Sequence, residues 1–329
     1  MRAVFAAVLV AAALVFPAVA EAPSFVAVEA RAIASFRIGS SQTRFGALEF
    51  AGGFGLRSSA RVFGQLSALR FLTPGRDFVG VADHGYWFFG SIERNSDGAP
   101  TGVSGFAMQP IIDERGSTLA AKRRADAEGL DIHDGVATVS FEREARIWEY
   151  ALRPGGIGAP ARDIDFVVPR RELRHNGGLE TVARAPRDGP LAGARIVVAE
   201  RSIDENGDLF AAVIEGPLKG VFKVRRSDGF DVTDGVFLPG GDLVLLERRA
   251  SLAAGVAMRL RRIPGGAIRP GALVDGAILM QAGLDHRIDN MEGLDAWVRP
   301  DGATMLSLVS DDNQSFLQRT IYLEFRLLP

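Results

Sequence analysis

Beyond residue 24, apolar and polar positions alternate in short runs, with little of the three-to-four-residue spacing of a helix. Residues 77–82 (DFVGVA), 194–199 (ARIVVA), 243–246 (LVLL) and 304–309 (TMLSLV) are rich in β-branched and bulky side chains. Turn formers bound these runs: Thr73-Pro-Gly75, His133-Asp-Gly135, Pro239-Gly-Gly241 and Arg299-Pro-Asp-Gly302. The pattern predicts short β-strands joined by tight turns. Residues 120–128 form the one helical phrase, and their arginine-rich composition suits a solvated loop equally. No low-complexity linker divides the chain, so residues 21–329 read as one domain.

The strand pattern repeats. Ser67-Ala-Leu69, Glu128-Gly-Leu130, Gly177-Gly-Leu179, Asp234-Gly-Val236 and Glu292-Gly-Leu294 align, with starts separated by 61, 49, 57 and 58 residues. Each opens a hairpin whose second strand ends in a polar cluster: Asp83-His-Gly85, Glu142-Arg143, Glu200-Arg201, Glu247-Arg248 and Asp311-Asp-Asn313. Two more short strands follow each hairpin. Four strands per copy at this period predict an all-β fold, a β-propeller with five visible blades. Residues 25–65 leave room for a sixth, degenerate blade. The last copy lacks a clear fourth strand, and LEFAGGFGL (residues 48–56) is placed to supply it and close the ring.

This geometry places charges together. In a propeller blade the start of the inner strand and the end of the second strand meet on one rim. Pairing residues 126–144 across the His133-Asp-Gly135 turn predicts Ile132 beside Val136 and Asp126 near Glu142. Pairing across Arg299–Gly302 predicts Asn290 near Asp311. Like charges opposite each other destabilise a sheet, so such a rim needs compensation, and a cation supplies it.

Asp126, Glu128, Glu142, Asn290, Glu292, Asp311, Asp312 and Asn313 are hard oxygen donors, a set suited to calcium or magnesium and not to zinc or copper. The competing structural reading has the same carboxylates paired with arginines or capped by backbone N–H groups. Neighbours on a regular strand point to opposite sides, so Glu142 and Arg143 should not both face the channel. Arg143, Arg201 and Arg248 are expected to bridge to the next blade or to meet an anionic ligand. His84, His175 and His286 lie beside rim motifs and are acid–base candidates; His133 sits in a turn on the opposite face. Asp204-Glu-Asn-Gly-Asp208 resembles the start of a calcium loop, but strand-like residues follow where ligands belong, so it reads as a hairpin turn. Trp87 is expected to pack between blades.

Composition narrows the setting. The chain has no cysteine, and its formal charge is −2, with 38 basic and 40 acidic residues. Lysine occurs only at positions 122, 219 and 223, and no basic stripe interleaved with aromatics points to nucleic acid. Arg2, the apolar run 3–16 and Ala18-Val-Ala20 have the layout of an export signal cleaved after Ala20. A monomeric periplasmic or secreted protein with no transmembrane segment in its mature form is expected.

VADHGYWF (81–88), DAEGLDI and VSFERE within 126–144, DNMEGLDAW (289–297) and LVSDDNQS (308–315) resemble the exported bacterial phytase-like family, also called the esterase-like activity of phytase domain. The likeness covers about residues 45–329. It implies a propeller, export, and hydrolysis of phosphoric or other esters. The D-D-P-A-x-W motif of the calcium-dependent propeller phytases has no counterpart in this chain. Carried over residue by residue, the resemblance implies rim positions at Asp83, Asp126, Glu128, Glu142, Arg143, Asn290, Glu292, Asp311 and Asn313. The resulting expectation is a hydrolase with calcium as cofactor and a small anionic molecule as partner. The metal would be held by Asp83, Asp126, Glu128, Glu142, Asn290, Glu292, Asp311 and Asn313, with Glu128, His84 and Arg143 as catalytic groups. The alternatives are a non-catalytic calcium-stabilised propeller that binds an envelope ligand, and a lactonase-type propeller.

Overall fold

The computed structural model describes residues 21–119, 122–251 and 255–329; the export signal expected at 1–20 lies outside them. The strands form five sheets set as five propeller blades, antiparallel except where the short strand Leu273–Val274 joins Gly220–Val224 in parallel. The inner strands are Leu66–Phe71, Ala127–His133, Leu179–Arg184, Asp231–Phe237 and Asn290–Val298. Each packs against the next and the fifth against the first, so they ring a central channel. The room left for a sixth blade is not used as one. Residues Ser24–Phe25 edge the first blade, and Glu29–Ala32 and Leu48–Arg57 belong to the fifth. Among the described residues no helix is long and apolar enough to cross a membrane.

Closure follows the expected route. Leu48–Arg57 pairs antiparallel with Thr320–Leu327, Phe54 facing Tyr322, so the N-terminal strand completes the C-terminal blade and removes an exposed edge. The rings of Phe54 and Tyr322 stack at 4.9 Å. Buried apolar residues fill the spaces between blades, as where Leu246, Met258 and Leu260 of the fourth meet Met291, Leu306 and Leu308 of the fifth. Trp87 packs edge-on to Tyr150 of the second blade at 5.1 Å. Ion pairs also join blades: Arg94 of the first to Glu324 of the fifth at 2.6 Å, and Arg195 of the third to Glu149 of the second at 2.6 Å.

One irregularity recurs in every blade. Against its partner strand, each inner strand carries one extra residue at the same level, at Ser67, Glu128–Gly129, Glu180, Thr233 and Glu292. Such bulges bend the strand and re-aim its side chains. Next to Glu128, a Cβ on Gly129 would come within 2.5 Å of the Glu180 carbonyl and 2.6 Å of Ser140 Oγ. Beside Glu292, a Cβ on Gly293 would meet Ala68 Cα at 3.2 Å. The Glu-Gly pairs of the repeat therefore combine a side chain turned to the channel with a bare backbone against which the next blade packs.

The bulges also correct the sequence alignment. Glu180, three residues beyond Gly177, is the counterpart of Glu128, and Thr233 replaces Asp234 in that role. The second turn shifts as well. Val136 pairs with His133, because Asp134 and Gly135 both take positive φ (48° and 75°) in a two-residue turn. The bulge cancels this one-residue shift, so Glu142 N–H still donates to the Asp126 carbonyl at 2.9 Å. The helical phrase is reduced to Lys122–Ala125, with a strand beginning at Ala127.

Candidate functional site

Equivalent positions now define two layers around the channel mouth. The bulge layer holds Ser67, Glu128, Glu180, Thr233 and Glu292. Where the second strands end, the layer above it holds Asp83, Glu142, Glu200, Arg248 and Asp311, as the pairings fix. Arg248 stands where the other four blades have an acid. Glu247, aligned with Glu142 from the sequence, instead lies one residue deeper, fully buried between Arg259 and Arg261 at 2.5 Å each.

The two layers line a cup of about 270 Å³, whose wall brings together eight carboxylates and three arginines. The carboxylates are Asp83, Asp126, Glu128, Glu142, Glu180, Glu200, Glu292 and Asp311, and the arginines are Arg143, Arg201 and Arg248. Beneath the bulge layer the channel is plugged. Arg70 donates from both terminal nitrogens to the two oxygens of Asp234 at 2.8 Å, and both side chains are buried. The cup is therefore blind.

Seven of its eight acids fall into three groups, Asp83 standing outside them. Oxygens of Asp126, Glu128 and Glu142 lie within 4.8 Å of one another, and so do those of Glu142, Glu180 and Glu200. Glu142 belongs to both triads, and the backbone N–H groups of Gly177 and Gly178 donate to one of its oxygens. The third group is tied to Arg248, which contacts Glu292 at 3.0 Å, Glu200 at 3.2 Å and the Asn290 amide oxygen. Asn290 donates in turn to Glu292 at 2.8 Å and Asp311 at 3.4 Å. Asn313 closes the turn above, its N–H donating to Asp311 at 2.7 Å.

Burial first, and then crowding, raises the proton affinity of these acids. Burial pushes Glu180 well above the usual range, and Glu128, Glu200, Glu142 and Glu292 push it further. Glu128 shifts the same way through burial and then through Glu142, Asp83, Glu292 and Asp126. Burial lifts Glu292 to about 8, against the pull of Arg248, and Asp311 to about 7. Glu142 and Glu200 are also raised, mainly by burial.

Glu180 is the sharpest case. It is 7% exposed, lines the cup, and makes no hydrogen bond or ion pair among the described residues. Arg248 attracts it only from beyond ion-pair distance, and a buried carboxylate without a bonded partner costs free energy unless a proton or a cation resides there. The donors around it are all oxygen, which fits a hard dication.

All eight expected metal positions line this cup, together with Arg143. Glu142 and Arg143 both face it, against the alternation expected of a strand, because the regular strand ends at Phe141 and the two residues sit in the turn beyond. Of the three expected bridges, Arg201 reaches Asp231 and Arg248 reaches Glu292 in the next blade, while Arg143 stays in its own blade, 2.6 Å from Asp126. His84 does not line the cup. Its Nε2 lies 3.1 Å from the Val62 carbonyl and its ring packs on Tyr86. His286 is packed against Phe36 and Phe45. Asp312 turns away to accept from Gln65 N–H and Thr320 Oγ1. Asp204 caps its own turn and meets Lys223 at 2.9 Å. Sequence reasoning missed Glu180 and passed over Glu200 as part of a strand ending. Correct registration of the third repeat would have found both.

No curated protein is significantly similar to the chain. Among solved structures it resembles an endo-arabinase from Bacteroides thetaiotaomicron, at 12% identity and a TM-score of 0.47, over 88% of this chain and 96% of that one. It also resembles a protein of unknown function from Bacteroides caccae, at 12% identity and a TM-score of 0.35, over 72% of this chain and 68% of that one. The family model for phytase-like proteins, described as "Esterase-like activity of phytase", matches residues 61–314. With the larger part of its length matched, the chain belongs to the phytase-like family.

Proposed function

We propose that the chain is an exported hydrolase of phosphoric or other esters that depends on a divalent cation, calcium by donor type, with the acidic cup as its active site. The observation that carries this reading is the buried Glu180 carboxylate, which makes no hydrogen bond or close ion pair, beside Glu128, Glu142 and Glu200. Glu142, Glu180 and Glu200 would hold the cation, with Asp126 and Glu128 on the other side of Glu142. When bound, a hard dication supplies charge that offsets an ester anion and acidifies a coordinated water.

The remaining chemistry falls to the chain's own groups. Glu128 faces the cup with no ion-pair or hydrogen-bond partner, so its carboxylate can take the proton of the attacking water. It then returns that proton to the leaving oxygen as the ester bond breaks. Arg143, fixed by Asp126, lines the same wall and meets the anionic part of the ester. The plug of Arg70 and Asp234 limits access to one face.

The test is turnover of nitrophenyl esters of phosphoric and carboxylic acids with calcium or with chelator. Turnover that needs the metal and falls at least about a hundredfold in Glu128→Gln supports the reading. A second reading, a calcium-stabilised propeller without catalysis, is favoured by the position of His84 outside the cup. It predicts a calcium-dependent gain in melting temperature with no turnover of any ester. For export, the mature protein should begin at Glu21 by mass spectrometry, and an intact Met1–Ala20 segment in the secreted protein would contradict it.

A further inference from the structure

Beside the cup lies a second cavity of about 550 Å³ with the opposite character, sharing Glu142 and Arg143 as its wall. Arg146, Arg170, Arg174 and His175 line it. Most arginines in this molecule have a carboxylate, as Arg94, Arg195, Arg201, Arg248 and Arg259 show. Arg146, Arg170 and Arg174 form no ion pair among the described residues. Of the two acids on the lining, Glu142 accepts from the Gly177 and Gly178 N–H groups, and Glu144 is half exposed and turned to Arg124 at 3.8 Å.

Arg146 is the strongest of these signals. Its guanidinium is buried between the rings of Phe141 and Trp148, 3.9 and 4.4 Å from their centres. It donates to the main-chain carbonyls of Glu144 and Arg124, and its buried Nε has no acceptor. Burial lowers its proton affinity to about 10, with Glu144 and Asp163 opposing this only from beyond ion-pair distance, so the site holds a cation at a cost and without a close counter-ion.

The segment carrying the other cations is bent by a strained turn. Val167, a β-branched residue, has φ of 67°, and Val168 N–H donates to the Phe166 carbonyl at 2.7 Å across it. Backbone of this kind is uncommon for valine and clusters at functional sites. It reverses the chain just before Arg170, whose terminal nitrogen then reaches the Ala145 carbonyl at the cavity edge at 2.5 Å.

We propose that this cavity, between the second and third blades, binds a dianion of the phosphate class. Planar guanidinium groups on two walls match the oxygens of a tetrahedral anion and can donate in pairs. The site stands without the cation of the cup. If the cup is the active site, the shared Glu142–Arg143 wall makes the cavity an anchor for a second anionic group on the substrate.

The test is calorimetry on the full chain in chelator, titrating inorganic phosphate, glycerol phosphate and acetate into wild type and Arg170→Ala/Arg174→Ala, both exposed positions. Saturable phosphate binding that weakens about tenfold or more in the double variant is expected, while the calcium-dependent melting gain stays as in wild type. Glu180→Gln should do the reverse. Glycerol phosphate binding as well as phosphate marks an esterified group as the ligand, and binding of phosphate alone marks the free ion; either upholds the site. No saturable phosphate binding, equal binding of acetate, or full affinity in the double variant overturns it, whatever the cup does.

Discussion

Arg248 of the fourth blade and Glu292 of the fifth meet at 3.0 Å across the cup, at the one place in the upper layer where a cation replaces an acid. The same guanidinium holds Glu200 at 3.2 Å, so it pairs directly with two of the eight carboxylates and attracts Glu180 from farther off. Breaking a largely buried pair leaves its partner uncompensated. Arg248→Gln should therefore cost about 3 kcal/mol in urea unfolding with chelator. Calcium should recover part of that loss, because the freed carboxylates become donors. An equal loss with and without calcium would mean that Arg248 only packs blades together.

Closure rests on a different contact. Phe54, 1% exposed, stacks on Tyr322 where the N-terminal strand enters the fifth blade. Phe54→Ala should cost about 3–5 kcal/mol, and deleting residues 21–58 should abolish a single cooperative melt, because the last blade would expose the edge of Thr320–Leu327. A truncated chain that melts like the full one would show that the segment is an appendage.

The period of the repeats and their turn residues were enough to read five blades and the closing strand from the chain. The rim acids were legible for the same reason, since an inner strand and its return must meet on one face. Glu180 was not. Gly177-Gly-Leu179 imitates Glu128-Gly-Leu130 in letters, while in space the bulge falls three residues later, at Glu180 opposite Ala199 and Val198. A bulge adds a residue without any change of composition, so alternation alone cannot locate it. The basic cavity was equally hidden, because Arg146 opens a strand of the second blade while Arg170 and Arg174 lie on the segment leading to the third, and only packing brings the two together.

The opposite mouth of the channel should set a pH response. Asp295 is buried there, accepting from the N–H groups of Phe71 and Ala296, with Arg70 and Asp234 beside it. Burial raises it from 3.8 to about 6 despite the pull of Arg70. The folded chain thus keeps a proton that the unfolded chain has released, and unfolding free energy falls as pH rises through this window. From pH about 4 to 6.5 this group should remove about 2–3 kcal/mol. Measured against wild type, Asp295→Asn should lack that part of the slope. Parallel curves for the two proteins would show that Asp295 ionises normally.

Glu180 decides between a cup built for a cation and a cup neutralised by protons. Glu180→Gln keeps the shape and removes a buried charge that has only like-charged neighbours in its triad. In chelator the variant should melt at or above the wild-type temperature, because a repulsive group is gone. In calcium the order should invert. Wild type at a hundredfold excess over its Kd gains about 2.7 kcal/mol by linkage, and the variant should lose most of that gain. Asp204→Asn serves as the control, since Asp204 belongs to a turn bonded to Lys223, and its calcium response should match wild type. A wild-type melting curve indifferent to calcium, magnesium and chelator would defeat the cation altogether. The raised proton affinities of Glu128 and Glu180 would then be how the cup bears its own charge, and the proposed hydrolysis would lose the dication that acidifies its attacking water.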